Sequence, residues 1–109
     1  MEEMTLREVC EKIGVSRRAV QRYEKLNMVN ATSKNKYGHL LYDTNAVEII
    51  QNIKMYRDFG FSVKETKELM ELSEEVRKEK IGKRIIEMNE ELSKLKKQIA
   101  IAEELVQKN

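Results

Sequence analysis

The amino-acid sequence predicts a mainly helical fold, with a small N-terminal domain over residues 1–72 and one long helix over residues 73–109. The first indication is the scarcity of helix breakers, because the 109 residues include no proline and only four glycines. The second is a regular apolar pattern that begins near residue 81 and continues almost to the end of the sequence. Apolar spacings that alternate between four and three residues are typical of a coiled-coil helix.

The composition argues against catalysis, metal binding and membrane insertion. The chain has one cysteine, Cys10, one histidine, His39, and two aspartates, which is too little for a Cys/His zinc site or a common catalytic arrangement. We interpret Cys10 as a small core residue rather than a reactive thiol. The N-terminus is acidic, and no apolar stretch approaches the roughly 18 residues of a membrane span. We therefore expect a cytoplasmic protein that is not an enzyme, with no cofactor and no contact with membranes.

Two short helices are predicted at the N-terminus. Thr5 and Glu8 have the spacing of a capping box, and apolar residues then follow at helical spacing. Gly14 is suited to end this first helix, because glycine adopts the left-handed conformation without strain. Ser16 is the expected N-cap of the second helix. Two short helices joined by a Gly-Val-Ser turn form a helix-turn-helix pattern.

The second helix is basic on its outward side. Residues 12–36 contain seven lysines and arginines against one acidic residue, a net charge of +6, whereas the whole chain has a net charge of +2. Such a region is typical of a protein that binds a polyanion, and a merely solvated helix face is the alternative. Arginine and glutamine are also the side chains that reach phosphates and base edges in DNA. The candidate DNA contacts here are Ser16, Arg17, Arg18, Gln21 and Arg22.

Helical periodicity stops between residues 30 and 42, where we expect a small β-hairpin. Gly38 is free to adopt positive φ in its turn. Beside a helix-turn-helix, such a hairpin would be a wing lying along the DNA backbone. His39 is not expected to bind a metal, because it has no partner ligands. The residues expected near the tip of the wing are Lys34, Lys36, Tyr37 and His39.

Two further helices complete the predicted domain. Asp43 or Thr44 is the expected cap of a third helix that ends near Gly60. Ser62 and Glu65 form a second capping-box match, which opens a short fourth helix. Phe59 and Phe61 are expected to fill the small core. The apolar stripe predicted for the third helix consists of Ala46, Ile49, Ile50, Ile53 and Tyr56.

The last third of the chain predicts a dimerisation helix of about 50 Å, since each residue adds about 1.5 Å. Its charged residues fill most positions outside one apolar seam, and a second copy of the chain is the simplest partner for that seam. A helix folded back on its own domain is the alternative, and Gly82 is a candidate for a bend. The seam consists of Ile81, Ile85, Met88, Leu92, Leu95, Ile99, Ala102 and Val106.

These motifs, in this order, resemble the MerR family of bacterial transcription regulators. The resemblance runs through Leu6-Arg-Glu-Val9, Gly14-Val-Ser16, Tyr23-Glu24, Gly38 to Asp43, and Phe59-Gly-Phe-Ser62, and it covers about residues 4–72. It implies a winged helix-turn-helix domain followed by a long helix that pairs antiparallel with that of a second copy. It also implies a homodimer on pseudo-palindromic double-stranded promoter DNA, which family members bend and untwist for RNA polymerase.

By this resemblance, Arg18, Arg22 and Tyr23 contact bases and phosphates, Tyr37 and His39 act from the wing, and Arg57 contacts a phosphate. Two positions depart from the family pattern, because Gln21 and Leu40 stand where family members usually carry arginine. The family's metal sensors have cysteines near the long helix, whereas this chain has none after Cys10. The resemblance therefore indicates a short member without an effector-binding domain. An excisionase-like or architectural DNA-bending protein, and a coiled-coil interaction module, are the alternative functions.

Overall fold

The computed structural model describes residues 3–108 and has the mainly helical architecture that the sequence predicts. The chain forms two compact units, which meet in sequence between Leu69 and Met70. No helix among the described residues is long and apolar enough to cross a membrane. The elements are β1 (Met4–Thr5), α1 (Leu6–Ile13), α2 (Arg17–Lys25), β2 (Ser33–Lys34), β3 (Leu40–Tyr42), α3 (Thr44–Asp58), α4 (Val63–Glu71) and α5 (Glu74–Gln107).

Helix α1 begins and ends where the sequence predicts. The Thr5 amide donates to Glu8 Oε1 at 3.0 Å, and the Glu8 amide donates to Thr5 Oγ1 at 3.3 Å, so the capping box is complete. The Thr5 amide and the Thr5 hydroxyl both donate to Glu8 Oε1, and these two hydrogen bonds lower the pKa of the Glu8 carboxyl. Gly14 ends the helix at φ +80°, where its amide donates to the Cys10 carbonyl at 2.9 Å. The helix-turn-helix pattern is therefore confirmed at its turn.

The wing belongs to a three-stranded antiparallel sheet with the strand order β1-β3-β2. The hairpin of β2 and β3 was expected, and Ser33 pairs with Leu41 within it. The third strand, β1, was not expected; it places Met4 opposite Tyr42. The wing is therefore anchored to the residues that lead into α1.

Asp43, rather than Thr44, caps α3, because its Oδ1 accepts from the Ala46 amide at 2.8 Å. The capping box at the start of α4 is also present: the Ser62 amide donates to Glu65 Oε1 at 2.8 Å, and the Glu65 amide donates to Ser62 Oγ at 3.0 Å. One member of the predicted α3 stripe is wrong, since Ile49 is only half-buried and Val47 is buried instead.

The core of the first unit is formed by buried residues from the four helices and the sheet. Phe61 is buried as expected, whereas Phe59 is half-buried. Thr66 is a fully buried polar residue, and its hydroxyl donates to the Ser62 carbonyl at 2.8 Å. Its hydrogen-bonding requirement is therefore met inside its own helix. The largest fully buried side chains are Tyr42, Ile50, Ile53, Leu69, Val9, Val20 and Thr66.

The 34 residues of α5 form one continuous helix, and the predicted bend at Gly82 does not interrupt it. Ser73 caps the helix, with its Oγ accepting from the Val76 amide at 3.4 Å. None of the residues of α5 is buried. A helix with so many exposed large apolar side chains is typical of an unpartnered association surface.

Candidate nucleic-acid interface

Most of the candidate DNA contacts predicted from the sequence lie on the outward face of α2. Arg17, Arg18, Gln21, Arg22 and Lys25 are all exposed. Four of them, together with Glu24, line a shallow depression of about 650 Å³. The outward face of α2 is thus predominantly cationic, and a helix of this size fits a DNA major groove.

The N-terminus of α2 adds backbone donors to this face. Ser16 Oγ accepts from the Ala19 amide at 3.0 Å, which satisfies one of the amides that lack an intrahelical partner. The amides of Arg17 and Arg18 precede the first intrahelical hydrogen bond, so they are available to an anion outside the helix.

Tyr23 does not lie on the exposed face. It is only 5% exposed and packs in the core with Val20, which is fully buried. The resemblance implies that Tyr23 contacts DNA, but its side chain is buried in the core. Its packing there determines which face of α2 points outward. Asn27 then ends the helix at φ +59°, and the Met28 amide donates to the Tyr23 carbonyl at 2.9 Å.

A partly buried hydrogen bond joins α2 to the wing. The hydroxyl of Tyr42, a fully buried residue of β3, donates to Glu24 Oε1. Burial raises the pKa of Tyr42, and the hydrogen bond to Glu24 raises it further. The phenol therefore stays protonated at neutral pH and connects the two candidate DNA-binding elements.

The tip of the wing is a tight turn held by one side chain. Asn35 Oδ1 accepts from the Tyr37 amide at 2.9 Å and from the His39 amide at 3.0 Å. Gly38 has φ +81° in this turn, as expected. The turn displays Tyr37, which is 72% exposed, with Lys36 Nζ at 5.2 Å from its ring centroid. A rigid, cationic and aromatic tip is suited to a sugar-phosphate backbone.

The remaining wing residues of the prediction are arranged around this turn. Lys34 is exposed at the end of β2, and the His39 ring centroid is 6.4 Å from that of Tyr37. Leu40, which replaces the family's arginine, is half-buried in β3 opposite Lys34. Lys34 and Lys36 therefore supply the cationic groups at this part of the wing.

Arg57 is exposed near the end of α3, but its guanidinium is partly committed within the unit. Its Nη1 donates to the Phe61 carbonyl at 2.7 Å. This contact, which the sequence pattern did not indicate, holds the turn between α3 and α4 and orients the guanidinium. Five N–H donors belong to an arginine side chain, so one such bond leaves others for a phosphate.

The single cysteine has the surroundings of a structural residue. Cys10 is half-buried, and burial raises the pKa of its thiol, against an opposing effect of Arg17. A raised pKa lowers the thiolate fraction on which reactivity depends. Among residues 3–108, no group of three His, Cys, Asp or Glu side chains is arranged to hold a metal ion.

The predicted seam of α5 is exposed along most of its length. Leu92, Leu95 and Ile99 are 49%, 53% and 50% exposed, while Ile81 and Met88 are half-buried. Four further exposed large apolar residues of α5 lie outside the four-three spacing and were missed, although their residue types were visible in the sequence. These residues are Val76, Ile86, Ile101 and Leu105.

Together, the basic second helix, the anchored wing and the long helix with its exposed apolar seam define a winged helix-turn-helix protein of the DNA-binding regulator class. The family model described as "MerR HTH family regulatory protein" matches residues 4–73. The chain therefore belongs to the MerR family of transcription regulators, and the resemblance seen in the sequence is confirmed.

Individual proteins resemble the chain in sequence or in fold. The chain is 33% identical over 64 residues to nodulation protein NolA of Bradyrhizobium elkanii, covering 59% of this chain and 29% of that protein, so it spans less than a third of NolA. A MerR family regulator from Bacillus cereus superposes with a TM-score of 0.77 at 21% identity, covering 94% of this chain and 79% of that one. HiNmlR, a MerR family regulator lacking the sensor domain and bound to promoter DNA, superposes with a TM-score of 0.76 at 18% identity, covering 91% and 80%.

Proposed function

We propose that this protein is a cytoplasmic, homodimeric transcription regulator that binds a pseudo-palindromic promoter site sequence-specifically. The observation that carries the proposal is the pair of cationic elements, α2 and the wing, joined by the partly buried hydrogen bond from Tyr42 to Glu24. A connection of this kind holds base-reading and backbone-holding groups in one arrangement, which sequence recognition requires.

The roles of the individual residues follow from their chemistry. Arg18, Gln21 and Arg22 would read base edges and adjacent phosphates in the major groove. Ser16 and Arg17 would hold a phosphate at the start of α2. Arg57 would hold another from the end of α3. The wing residues that would grip the flanking backbone are Lys34, Lys36, Tyr37 and His39.

The seam of α5 supports pairing with a second copy in antiparallel orientation. The spacing 4, 3, 4, 3, 4, 3, 4 reads the same in both chain directions. Each of the eight seam residues therefore lies opposite a seam residue of the second copy when the two helices run antiparallel. Ala102 then faces the larger Ile85, whereas a parallel pair would put Ala102 against Ala102 and leave a void. The pairs are Ile81 with Val106, Ile85 with Ala102, Met88 with Ile99, and Leu92 with Leu95.

Crosslinking distinguishes the two orientations. In a Cys10→Ala background, a mixture of Ile85→Cys and Ala102→Cys chains should form a disulfide between them. Ile85→Cys alone should not, because the two copies of residue 85 would be about 25 Å apart along an antiparallel pair at 1.5 Å per residue. Efficient crosslinking of Ile85→Cys alone would instead establish a parallel pair.

We propose that the two recognition helices and two wings of the homodimer bend or untwist the promoter DNA. The deformed promoter would then be suited to RNA polymerase. The support is the superposition with a family member bound to promoter DNA and the rigid turn at the tip of the wing. Sequence-dependent deformability would then contribute to specificity at base pairs that no side chain touches.

Selection of bound sites from a random duplex library tests the proposal. We expect an enriched inverted repeat, and the combined Arg18→Ala and Arg22→Ala variant should lose binding to it while keeping its dimeric state. Retained DNA without an enriched motif would identify an architectural DNA-bending protein instead. No retention even at low salt would refute DNA binding and favour a coiled-coil interaction module.

A further inference from the structure

A second cationic recess lies beside the predicted DNA contacts. It is a groove of about 480 Å³ between the start of α1, the start of α2 and the turn of the wing. Its cationic and titratable lining residues are Arg7, Arg17 and His39, and none of the lining residues among positions 3–108 is acidic. Arg7 belongs to none of the DNA-binding positions that the sequence pattern selects.

The guanidinium of Arg7 is available to an external oxyanion. The Arg7 side chain is 79% exposed, and its Nε contacts Glu11 Oε1 at 3.2 Å, a carboxylate whose side chain is 68% exposed. Such an exposed i,i+4 ion pair stabilises a helix only weakly. Arg7 can therefore leave the Glu11 carboxylate and bind a phosphate at little cost in free energy. The contact also uses Nε alone, and an arginine binds phosphate best through two parallel N–H donors.

The position of the groove determines which anion would reach it. Arg17 lies in the first turn of α2, and His39 lies in the turn of the wing, so the groove bridges the two elements proposed to hold DNA. A strand that passes from α2 to the wing therefore crosses the groove. Gly38 contributes no side chain at this edge, and no other described residue beyond its two chain neighbours has an atom within 4 Å of the position that a Cβ would occupy, so the approach is open.

We propose that this groove holds one backbone phosphate of the bound duplex and that Arg7 is a DNA-contacting residue. The inference rests on the proposed DNA-binding function and adds one phosphate contact per copy. Arg7 would thereby bring α1, which packs against β1, β3, α2 and α3, into the DNA-binding surface.

The test compares Arg7→Ala with Lys78→Ala, using the selected duplex at a series of salt concentrations. Lys78 is a matched control because it is 73% exposed, also makes an i,i+4 ion pair, with Glu74, and loses the same charge when changed to alanine. The slope of log affinity against log salt changes by about 0.9 for each phosphate contact. We expect Arg7→Ala to flatten the slope by about 1.8 for a dimer, Arg7→Lys to restore most of it, and Lys78→Ala to leave it unchanged.

Glu11→Gln supplies the opposite perturbation, because it removes the carboxylate that competes for Arg7. We expect this variant to bind the duplex more tightly than the unmodified protein. The gain should disappear when Arg7→Ala is added, since the two changes act on one contact. An equal gain in the presence of Arg7→Ala would overturn the proposal, because Glu11 would then act through general charge.

Three results separate the possible failures. An unchanged slope for Arg7→Ala, with the unmodified protein still binding the duplex, would overturn the phosphate contact and leave the proposed function intact. A failure of the unmodified protein to bind any duplex would refute the proposed function itself. NMR titration would show whether a free anion binds instead. If the Arg7 and Gly38 amide chemical shifts change saturably with inorganic phosphate but not with duplex, the DNA assignment is overturned in favour of a free anion. Equal thermal midpoints for the variants would confirm that the fold is retained.

Discussion

Leu92→Asp is the substitution that tests the role of α5 most directly, since Leu92 lies at the centre of the seam. In the single chain Leu92 is 49% exposed, and its proposed partner Leu95 is 53% exposed. Complete burial of a leucine contributes about 1.5–3 kcal/mol, so covering the exposed half contributes about 1 kcal/mol for each side chain. The aspartate would lose this term and bring an unpaired carboxylate into the interface.

The expected magnitude follows from counting both copies. Desolvating an unpaired carboxylate costs several kcal/mol, and each dimer would contain two of them. A loss of at least about 6 kcal/mol in the free energy of association is therefore expected. At about 1.4 kcal/mol for each tenfold change, the dissociation constant of the dimer should rise by about 10⁴.

Sedimentation velocity at micromolar chain concentration measures this change, with Lys97→Asp as the control. Lys97 lies on the opposite face of α5 from the seam and is exposed, so an aspartate there should leave the dimer intact. The reasoning would be refuted if Leu92→Asp sedimented as a dimer, or if Lys97→Asp dissociated to the same extent. A monomeric Leu92→Asp with an unchanged Lys97→Asp would support the seam as the dimer interface.

Substitutions at three further positions test the local structure by chemical and thermal unfolding. Gly14→Ala should lower the free energy of unfolding by about 1 kcal/mol, because residue 14 has φ +80°; an unchanged value would mean that the turn relaxes. Asp43→Ala should cost about 1 kcal/mol by removing the N-cap of α3, and Asp43→Asn should recover most of it. Tyr42→Phe should cost about 1–3 kcal/mol by leaving the Glu24 carboxylate without its donor. Because the pKa of Tyr42 is raised in the folded state, its contribution is present below the ordinary tyrosine pKa and is lost as the pH rises above it, so the unmodified protein should lose stability in alkali more steeply than Tyr42→Phe.

The elements that the sequence predicted are those fixed by neighbouring residues. The capping boxes at Thr5 and Ser62, and the glycine that ends α1, each depend on side chains within four positions of one another. Local hydrogen bonds of this kind leave a readable pattern because their geometry sets the spacing. The choice between Asp43 and Thr44 as the cap of α3 was less readable, since both residue types cap helices well.

The features that the sequence did not reveal join residues far apart in the chain. Strand β1 is only two residues long, and its pairing of Met4 with Tyr42 spans 38 positions, so no local periodicity marks it. The hydrogen bond from Tyr42 to Glu24 likewise connects two elements. Tyr23 illustrates the same limit at the candidate site, because a tyrosine on a basic helix suits either DNA contact or the core until tertiary packing decides.

In the proposed function, the first unit contacts DNA and the second pairs two copies, so the seam of α5 affects which DNA sites are bound. One copy of the basic surface offers a few phosphate contacts, which provide salt-dependent but largely non-specific affinity. Pairing through α5 would make binding of the second copy intramolecular, and effective concentration then multiplies the affinity for correctly spaced half-sites alone. Leu92→Asp should therefore abolish the preference for the inverted repeat while preserving weak binding to any duplex. Arg7→Ala should weaken binding to both kinds of DNA, because a backbone phosphate is present in each.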